Sequence, residues 1–313
     1  MPELPEVETI ANGVHARVHG QRIASVWTSG KPQTFKSPET EISDALTGAT
    51  IDSVRRVGKT IVMTVTPGGP SFAASSQRVG SNPRSTSSTR KIDSAALNPV
   101  PTEFLIHLGM TGRLLVSAPG VPLPLHTHAV LTLVDHREIR FVDPRRFGRL
   151  SIHHPAISNQ QRTTSNQQPA TYTGPGREPL TISLEDFIAL FRGRKTPIKA
   201  ALLNQSLLHG VGNIYADESL FRAAIRPRRQ AGRLTRAELA RLRKALVEVL
   251  RHAIKLGGSS VSDYVDADGM RGYFQLQHKV YMRTGQSCLV CGTPIKKITL
   301  AGRSTHFCLT CQR

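Results

Sequence analysis

The four cysteines of this 313-residue chain all lie near its C-terminus, as two Cys-x-x-Cys pairs separated by a short segment. They are Cys288, Cys291, Cys308 and Cys311. Each pair turns tightly enough to aim both sulfurs at one ion, so the spacing predicts a β-hairpin closed around a tetrahedral zinc site. Two independent redox dithiols are the alternative. Four protein ligands leave no position for water, so the sequence predicts one structural zinc ion.

A strong excess of basic residues constrains the partner of the chain. There are 41 Lys and Arg against 22 Asp and Glu, a formal net charge of +19, and the largest excess lies in residues 201–313. Such a charge predicts attraction to polyanions such as nucleic acid or an anionic membrane. A solvated basic surface without a specific partner is the alternative.

The sequence contains no targeting or membrane signal. Its first residues, MPELPEVETI, carry three glutamates and no apolar core, which is unlike a secretory signal or a transit peptide. No apolar run reaches about 18 residues, so no membrane span is expected. Because all cysteines belong to the two pairs, a secreted disulfide framework is not expected either, and we expect a cytoplasmic protein.

The apolar pattern divides the chain into two differently built halves. Residues 5–19 have helical spacing, and Gly20 follows as a stop signal. Between residues 51 and 152, short β-branched runs predict an antiparallel sandwich or barrel-like domain. These runs lie at 60–66, 104–107, 113–117, 129–134 and 138–142. Helical patterns follow at 184–191, 197–205, 213–223 and 236–255.

A glycine-rich turn between two helical patterns is a candidate anion site. Gly210 and Gly212 allow close backbone approach, Asn213 suits a helix N-cap, and the free N–H groups of the next helix can bind a phosphate. An ordinary turn between helices is the alternative. The basic neighbours Arg194, Lys195 and Lys199 favour the phosphate.

The N-terminus is a candidate nucleophile. A small second residue normally permits removal of Met1, which would leave Pro2 with a free secondary amine. An α-amino group titrates near 7.7–8, well below lysine at about 10.4, so more of it is neutral at physiological pH. The helix start disfavours the ammonium form further. Glu3 and Glu6 could move protons. A proline and glutamates that merely begin a helix are the alternative.

Several motifs occur together in one order along nearly the whole chain. They are MPELPEVET at 1–9, GKT at 58–60, HLGMTGRL at 107–114, DPRRFGRL at 143–150, GVGNIYADE at 210–218 and GRST at 302–305. In these motifs the chain resembles the bacterial formamidopyrimidine-DNA glycosylases, base-excision repair enzymes that remove oxidised purines and then cut the strand.

The resemblance implies an α+β multidomain fold with duplex DNA held in the cleft between domains. An antiparallel β-sandwich with an N-terminal helix would be followed by a helix-two-turn-helix domain and a zinc-finger β-hairpin. The expected divisions are a catalytic domain at 1–154, a linker at 155–179, a DNA-binding domain at 180–278 and the finger at 279–313. The Ser/Pro-rich stretch 67–101 is extra relative to the family pattern, as is part of the linker.

The resemblance also implies catalytic roles, for a DNA glycosylase that is also an AP lyase. Pro2 would attack C1′ of the damaged nucleotide and form a Schiff base, Glu3 would donate a proton, and Glu6 would support the same site. Lys59 would assist β-elimination, and Arg303 at the tip of the finger would bind phosphate and assist δ-elimination.

A second set of residues is expected to contact DNA. Met110, Arg145 and Phe147 match the residues that wedge into the duplex where the damaged base leaves it. The positions that would hold the bent backbone are His128, Arg146, Lys195 and Asn213. Residues 262–274 resemble the loop that closes over an everted purine, and His209 departs from the small or apolar residue expected before GVGN.

Two other functions stay open on the sequence. An endonuclease VIII-like glycosylase would share the fold and nucleophile but prefer oxidised pyrimidines, whereas DPRRFG and the long loop at 262–274 favour the purine branch. A noncatalytic zinc-finger DNA-binding protein would use only the basic third and the finger. In each case the partner is double-stranded DNA, with oxidised bases or abasic sites for the enzymes, and we expect a monomer that binds no membrane.

Overall fold

The computed structural model describes residues 1–68, 101–155, 171–260 and 265–313. Most of the predicted Ser/Pro-rich loop, the middle of the predicted linker and the start of the predicted lesion-closing loop lie outside the described residues.

The N-terminal half contains two antiparallel four-stranded sheets. Its elements are α1 (Leu4–Val18), β1 (Ile23–Thr28), α2 (Glu39–Leu46), β2 (Thr50–Val57), β3 (Thr60–Thr66), β4 (Thr102–His107), β5 (Arg113–Ser117), β6 (Thr127–Leu133), β7 (Glu138–Val142) and β8 (Arg149–His153). The strand orders are β1-β6-β7-β5 and β2-β3-β4-β8. Both sheets and α1 contribute to one apolar core, which confirms the predicted antiparallel sandwich.

Local sequence explains why α1 begins where it does. Glu3 and Glu6 form a reciprocal capping box, and Pro5 fits the first turn because it has no N–H to leave unpaired. The apolar positions that predicted this helix are buried against the sheets. They are Val7, Ile10, Val14 and Val18.

The second half is helical and has its own core. Its helices are α3 (Leu184–Phe191), α4 (Ile198–Leu203), α5 (Asn213–Arg222) and α6 (Arg236–Lys255). Leu4, from the very start of the chain, packs into this second core, so the N-terminus lies between the two halves. Within the described ranges, no helix has both the length and the apolar character needed to cross a membrane.

The C-terminal finger is a hairpin with very little apolar core. Strands β9 (Lys296–Leu300) and β10 (Arg303–Phe307) pair antiparallel. Ala301 and Gly302 at the tip both have positive φ, the combination that a tight two-residue hairpin turn requires. The small cluster beneath the finger contains Phe221, Val280, Ile295 and three of the cysteines, Cys288, Cys308 and Cys311.

The structure corrects several details of the sequence prediction. Helix α4 is shorter than the predicted 197–205, and the predicted N-cap Asn213 is the first helical residue, with Gly212 at the cap position. The Asn213 side chain instead donates to Ser304 Oγ at 3.3 Å. The sequence did not single out β1, α2, β2 or β8. Strand β1 has mostly exposed or half-buried residues, and a register shift interrupts the alternation of β2.

One strained position gives a stability prediction. Met282 has φ 57°, although it has a full side chain, and that side chain is 60% exposed. Left-handed backbone costs a non-glycine residue about 1–2 kcal/mol, so Met282→Gly is expected to raise the free energy of unfolding by about 1 kcal/mol. Met270 is 59% exposed and does not have a positive φ. Met270→Gly is therefore the matched control and should be neutral or destabilising. Equal denaturation midpoints for the two variants would contradict the assignment of strain.

Candidate active site

A pocket of about 630 Å³ lies where the N-terminus, the β2–β3 turn, the start of α5 and the tip of the finger meet. It brings together residues from widely separated motifs. Those predicted from the sequence are Pro2, Glu3, Glu6, Lys59, Met110, Asn213 and Arg303. All five predicted catalytic residues therefore line a single pocket.

The backbone of the N-terminus is fixed in this pocket. Leu4 N donates to Gly210 O at 3.0 Å, and the Leu4 side chain is fully buried in the helical core. Pro2 is buried and Met1 is 48% exposed, with both residues lining the pocket. While Met1 is present the Pro2 nitrogen is an amide, so it becomes a nucleophile only when Met1 is removed.

Glu3 occupies the anion site that the sequence suggested for a phosphate. Its carboxylate accepts hydrogen bonds from Ile214 N at 3.1 Å and from Tyr215 N at 3.5 Å, in the first turn of α5. A Cβ at Gly212 would collide with this carboxylate, which explains the glycine there. Burial raises the pKa of Glu3 to about 7, and the Lys59 ammonium offsets only part of that rise. The carboxyl can therefore hold a proton near neutral pH.

Glu6 connects three elements around Glu3. Its Oε2 accepts a hydrogen bond from Glu3 N at 2.8 Å, and its Oε1 accepts from Ser259 N at 2.7 Å and from the Tyr215 hydroxyl. Burial raises the pKa of Glu6 despite these hydrogen bonds. Glu6 thus orients Glu3 and fixes residue 259 at the pocket edge. The sequence had not identified the contributions of Tyr215 and Ser259.

The pKa of Glu3 gives a second stability prediction. Between pH 4.5 and 7 the unfolded chain loses the proton that folded Glu3 retains, so stability falls as pH rises through this window and the loss is complete above 7. A glutamine mimics the protonated form. At about 1.36 kcal/mol per pKa unit, Glu3→Gln is expected to be more stable than the wild type by up to about 3 kcal/mol at pH 8 and equally stable near pH 4.5.

Glu238→Gln is the control with the opposite sign. A hydrogen bond from Arg229 lowers the pKa of Glu238 to about 2, so removing that charge should destabilise the protein at pH 8. Thermal midpoints of both variants, measured from pH 4.5 to 8 on protein that retains Met1, test the pair. A destabilised Glu3→Gln at pH 8 would show that the buried carboxylate does not lower stability.

Lys59 lies in the turn between β2 and β3 and is half-buried. Burial lowers its pKa, and the neighbouring Arg303 lowers it further, while Glu3 acts in the opposite direction. A lowered pKa increases the neutral fraction of an amine, as a residue that must accept or transfer a proton requires.

The finger is attached by hydrogen bonds to a buried ion pair between α4 and α5. Lys199 Nζ lies 2.7 Å from Asp217 Oδ1, and both side chains are fully buried. The same ammonium donates to Ser304 O at 2.7 Å, and His306 N donates to Asp217 Oδ2 at 2.8 Å. Lys199 is therefore not the surface phosphate ligand that the sequence had suggested. Instead it holds Ser304, the residue that follows the exposed Arg303 in β10.

Two further acidic residues were missed by sequence reasoning. Glu218, buried in α5, accepts backbone hydrogen bonds from residues 279–281 at 2.9–3.0 Å and so holds Tyr281 in the pocket wall. Asp143 accepts from Thr111 Oγ1 at 2.6 Å and from Gly148 N at 2.7 Å, which ties two loops together. Their positions inside the motifs DPRRFGRL and GVGNIYADE were the available signal.

The predicted wedge residues are exposed. Met110 is 41% and Phe147 45% exposed, and the Arg145 guanidinium stacks over the Phe147 ring at 4.8 Å. Large apolar side chains at this level of exposure on neighbouring loops are typical of a contact surface. Without the family resemblance, the sequence would have assigned Met110 and Phe147 to the core.

The predicted backbone contacts are more dispersed. His128 is 5% exposed, and its ring nitrogens contact Ser29 Oγ at 3.1 Å and Asp143 O at 3.0 Å. Arg146 and Lys195 are exposed outside the pocket, whereas Asn213 lines it. The DNA contacts of these residues stay predictions.

The four cysteines fit a structural zinc ion. All four Sγ atoms lie within 4.8 Å of one another, with 3.8 Å between Cys288 and Cys311 and 3.4 Å between Cys291 and Cys308. A tetrahedral site with Zn–S bonds of about 2.3 Å places sulfurs about 3.8 Å apart. The predicted zinc site is therefore confirmed as a closed four-sulfur set.

Comparisons with known proteins agree along the whole chain. Family models described as the formamidopyrimidine-DNA glycosylase N-terminal domain, the formamidopyrimidine-DNA glycosylase H2TH domain and a zinc finger found in FPG and IleRS match residues 1–150, 175–265 and 285–313. Formamidopyrimidine-DNA glycosylases from Solibacter usitatus and Listeria monocytogenes are 40% and 34% identical, with each chain covered in full.

Solved structures give the same result for the fold. The MutM (FPG) protein of Thermus thermophilus is 36% identical with a TM-score of 0.74, covering 99% of this chain and 98% of its own. A Lactococcus lactis FPG variant in complex with Fapy-dG-containing DNA is 29% identical with a TM-score of 0.77 and full coverage of both chains. With its fold, pocket and zinc site, the chain belongs to the formamidopyrimidine-DNA glycosylase family.

Proposed function

We propose that this protein is a base-excision repair DNA glycosylase for oxidised purines, 8-oxoguanine and formamidopyrimidines, with an AP lyase activity. The observation that carries the proposal is the convergence of Pro2, Glu3, Lys59 and Arg303 on one pocket. Structures of the Lactococcus lactis relative contain DNA with Fapy-dG or an abasic site, which supports the same substrate class here.

Base excision requires a nucleophile and a proton donor. After removal of Met1, the Pro2 nitrogen attacks C1′, the bond from C1′ to the base breaks, and the base leaves with the bonding electrons. Glu3 supplies the proton needed as the base leaves and the sugar opens, a role that a pKa of about 7 suits. The adduct of a secondary amine is already cationic, so it activates the sugar for elimination.

Strand cleavage follows from that cationic adduct. Loss of the 2′ proton and then of the 3′ phosphate is β-elimination, assisted by Lys59, and δ-elimination releases the 5′ phosphate with help from Arg303. The product is a one-nucleotide gap with phosphate at both ends. Zinc takes no part in these steps, because four cysteine ligands would hold it as a support for the hairpin that carries Arg303.

The remaining assignments belong to the same proposal. Met110, Arg145 and Phe147 fill the space left by the everted nucleotide, and the backbone contacts are His128, Arg146, Lys195 and Asn213. Domains at 1–154, 180–278 and 279–313, joined by the linker at 155–179, bind the duplex between them. We place the enzyme in the cytoplasm, on the nucleoid.

Oxidised pyrimidines are a second candidate substrate. A Lactococcus lactis Fpg structure, 28% identical with a TM-score of 0.76, contains DNA with an oxidised pyrimidine. A duplex with thymine glycol, compared directly with an 8-oxoguanine duplex, separates the candidates. Faster excision of thymine glycol would favour the second.

Borohydride trapping tests the proposed chemistry. With an 8-oxoguanine duplex and protein whose intact mass shows that Met1 is absent, reduction is expected to give a covalent complex, and peptide mapping should place the DNA on Pro2. An undamaged duplex is the control and should give none. Failure to trap, or attachment at a lysine, would overturn the assignment of the nucleophile.

A further inference from the structure

A partly buried group of charged side chains lies between the two halves of the molecule, outside the pocket. The Arg56 side chain is 5% exposed, and its guanidinium bridges Glu8 Oε2 at 2.5 Å and Glu178 Oε2 at 2.9 Å. His209 is also 5% exposed, and its Nε2 lies 3.2 Å from the same Glu178 oxygen. The group joins α1, β2, the segment before α3 and the turn before α5.

The electrostatics of this group favour a fixed arrangement. Burial alone would raise the pKa of Glu178, but the hydrogen bonds involving His209 and Arg56 lower it to about 2. The two carboxylates also keep the pKa of Arg56 above its ordinary value despite burial. Glu178 therefore stays ionised at working pH and holds the imidazole and the guanidinium in place.

The same group packs against the turn that carries Lys59. A Cβ at Gly58 would lie only 3.0 Å from His209 Cβ and 3.1 Å from His209 Cγ, so the imidazole side chain covers the residue next to Lys59. Arg56 Nη1 donates to Gly58 O at 3.4 Å. Gly58 has φ 61°, a conformation that suits glycine and allows this close approach.

The residue after His209 contacts the N-terminus. Gly210 O accepts the hydrogen bond from Leu4 N at 3.0 Å, and a Cβ at Gly210 would lie 2.9 Å from Leu4 Cβ and 3.2 Å from Gly58 O. Residues 209 and 210 therefore touch both the turn that presents Lys59 and the segment that presents Pro2. His209 itself does not line the pocket.

We propose that His209, held by Glu178 and Arg56, is a positioning residue that sets Lys59 relative to Pro2 and thereby controls strand cleavage more than base excision. The inference rests on the proposed function, because it assumes that Lys59 assists elimination from the Pro2 adduct. Base loss depends chiefly on Pro2 and Glu3, and Glu3 is fixed separately by α5 and Glu6. A displaced Lys59 turn therefore affects the later step more.

The chemistry of His209 agrees with this role. An apolar side chain of similar size could fill the space, but it could not bind Glu178. Its Nδ1 is buried without a hydrogen-bond partner among the described residues. Hydrogen bonding by both ring nitrogens is therefore not the reason for a histidine at this position. This is also the position at which the sequence departs from the expected small or apolar residue.

Single-turnover kinetics test the proposal with His209→Leu and His209→Gln. Base release is measured on an 8-oxoguanine duplex, and strand cleavage on a preformed abasic duplex. His209→Leu is expected to slow strand cleavage by about tenfold, which is within the range that a small misplacement of a catalytic group produces. The same variant is expected to slow base release by less than about twofold. His209→Gln keeps a donor for Glu178 and should recover most of the cleavage rate.

The chain offers a matched control. His153 Nδ1 lies 3.0 Å from buried Glu103, which also binds Arg55 at 2.7 Å, so the same three residue types form a second group that contacts neither Gly58 nor the pocket. His153→Leu also removes an imidazole from a Glu–Arg group, although the His153 side chain is 35% exposed against 5% for His209, and it should leave both rates unchanged. In a Lys59→Ala background, His209→Leu should slow cleavage no further.

The outcomes are distinguishable. If His209→Leu lowers both rates equally, changes neither, or still slows cleavage after Lys59→Ala, the positioning role is wrong. If the wild type itself neither forms a borohydride adduct nor cleaves the abasic duplex, the proposed function fails instead.

Discussion

Protein that retains Met1 is expected to lose base excision and strand cleavage by on the order of 10⁴-fold or more, the scale seen when a covalent nucleophile is removed. Met1 makes the Pro2 nitrogen an amide, whose lone pair is delocalised into the carbonyl. It also lines the pocket, beside Glu3 and Lys59, where the opened sugar must fit. The loss of the nucleophilic amine and the space that Met1 occupies therefore both lower the rate.

The comparison uses two forms of the enzyme on one 8-oxoguanine duplex. One form has Met1 removed, and the other carries an N-terminal extension that is not removed. Pro2→Gly with Met1 absent is the control, because it keeps a free α-amine without the ring and should retain partial activity. A borohydride adduct on the extended form would show that another amine is the nucleophile. DNA affinity should fall much less than the rate, since the proposed backbone contacts His128, Arg146 and Lys195 lie outside the pocket.

The sequence predicted which residues meet but not how each is held. Pro2, Lys59 and Arg303 came from motifs, and the pocket contains all three. That the Glu3 carboxylate caps α5, more than 200 positions further along the chain, could not be read from local spacing. The glycine-rich turn was recognised as an anion site, and only the fold shows that the anion is a side chain of the protein itself.

Lys199 is a residue that the sequence assigned to the wrong partner. Its charge and its position beside the turn predicted a phosphate contact, because lysines are rarely buried. The structure covers both faces of the short α4, so neighbouring Ile198 and Lys199 are both fully buried. The ammonium is tolerated because Asp217 and Ser304 satisfy it, and these partners are distant in sequence. Periodicity cannot show that a helix is covered on two sides.

The exposed wedge could not be predicted from residue types for a similar reason. Met110 and Phe147 have apolar side chains, and composition alone assigns such residues to a core. Their loops are connected by Asp143, which fixes the backbone and leaves the side chains outside. Only the family resemblance suggested this arrangement in advance.

Removal of zinc is expected to unfold the finger while leaving the rest of the protein folded. Its apolar cluster contains few residues besides cysteines, too small a core to be stable alone, and structural zinc contributes about 10–16 kcal/mol in comparable fingers. The two other cores draw no residue from 285–313. Chelation, or Cys308→Ser, should therefore abolish the finger without a global transition.

The functional consequence follows from Arg303 and Asp217. Loss of the hairpin takes Arg303 out of the pocket and removes the strand that covers the buried Lys199–Asp217 pair. A charged hydrogen bond contributes about 1.5–3 kcal/mol, so the loss of Arg303 alone predicts roughly 10- to 150-fold weaker binding of lesion DNA. The effect of Cys308→Ser should exceed that of Arg303→Ala, because the exposed ion pair also destabilises the pocket wall.

Leu289→Ser is the matched control for the finger. Leu289 lies between two cysteine ligands and is 60% exposed, so its substitution should leave zinc content, affinity and cleavage unchanged. Zinc content, binding to an abasic-site analogue and the amount of δ-elimination product are measured together. If metal-free protein kept its affinity, Arg303 would have to reach the DNA without the hairpin, and the structural role of zinc would be wrong. If Arg303→Ala matched Cys308→Ser in affinity and in δ-elimination product, the metal would act through that one guanidinium, and the buried pair would not depend on the strand above it.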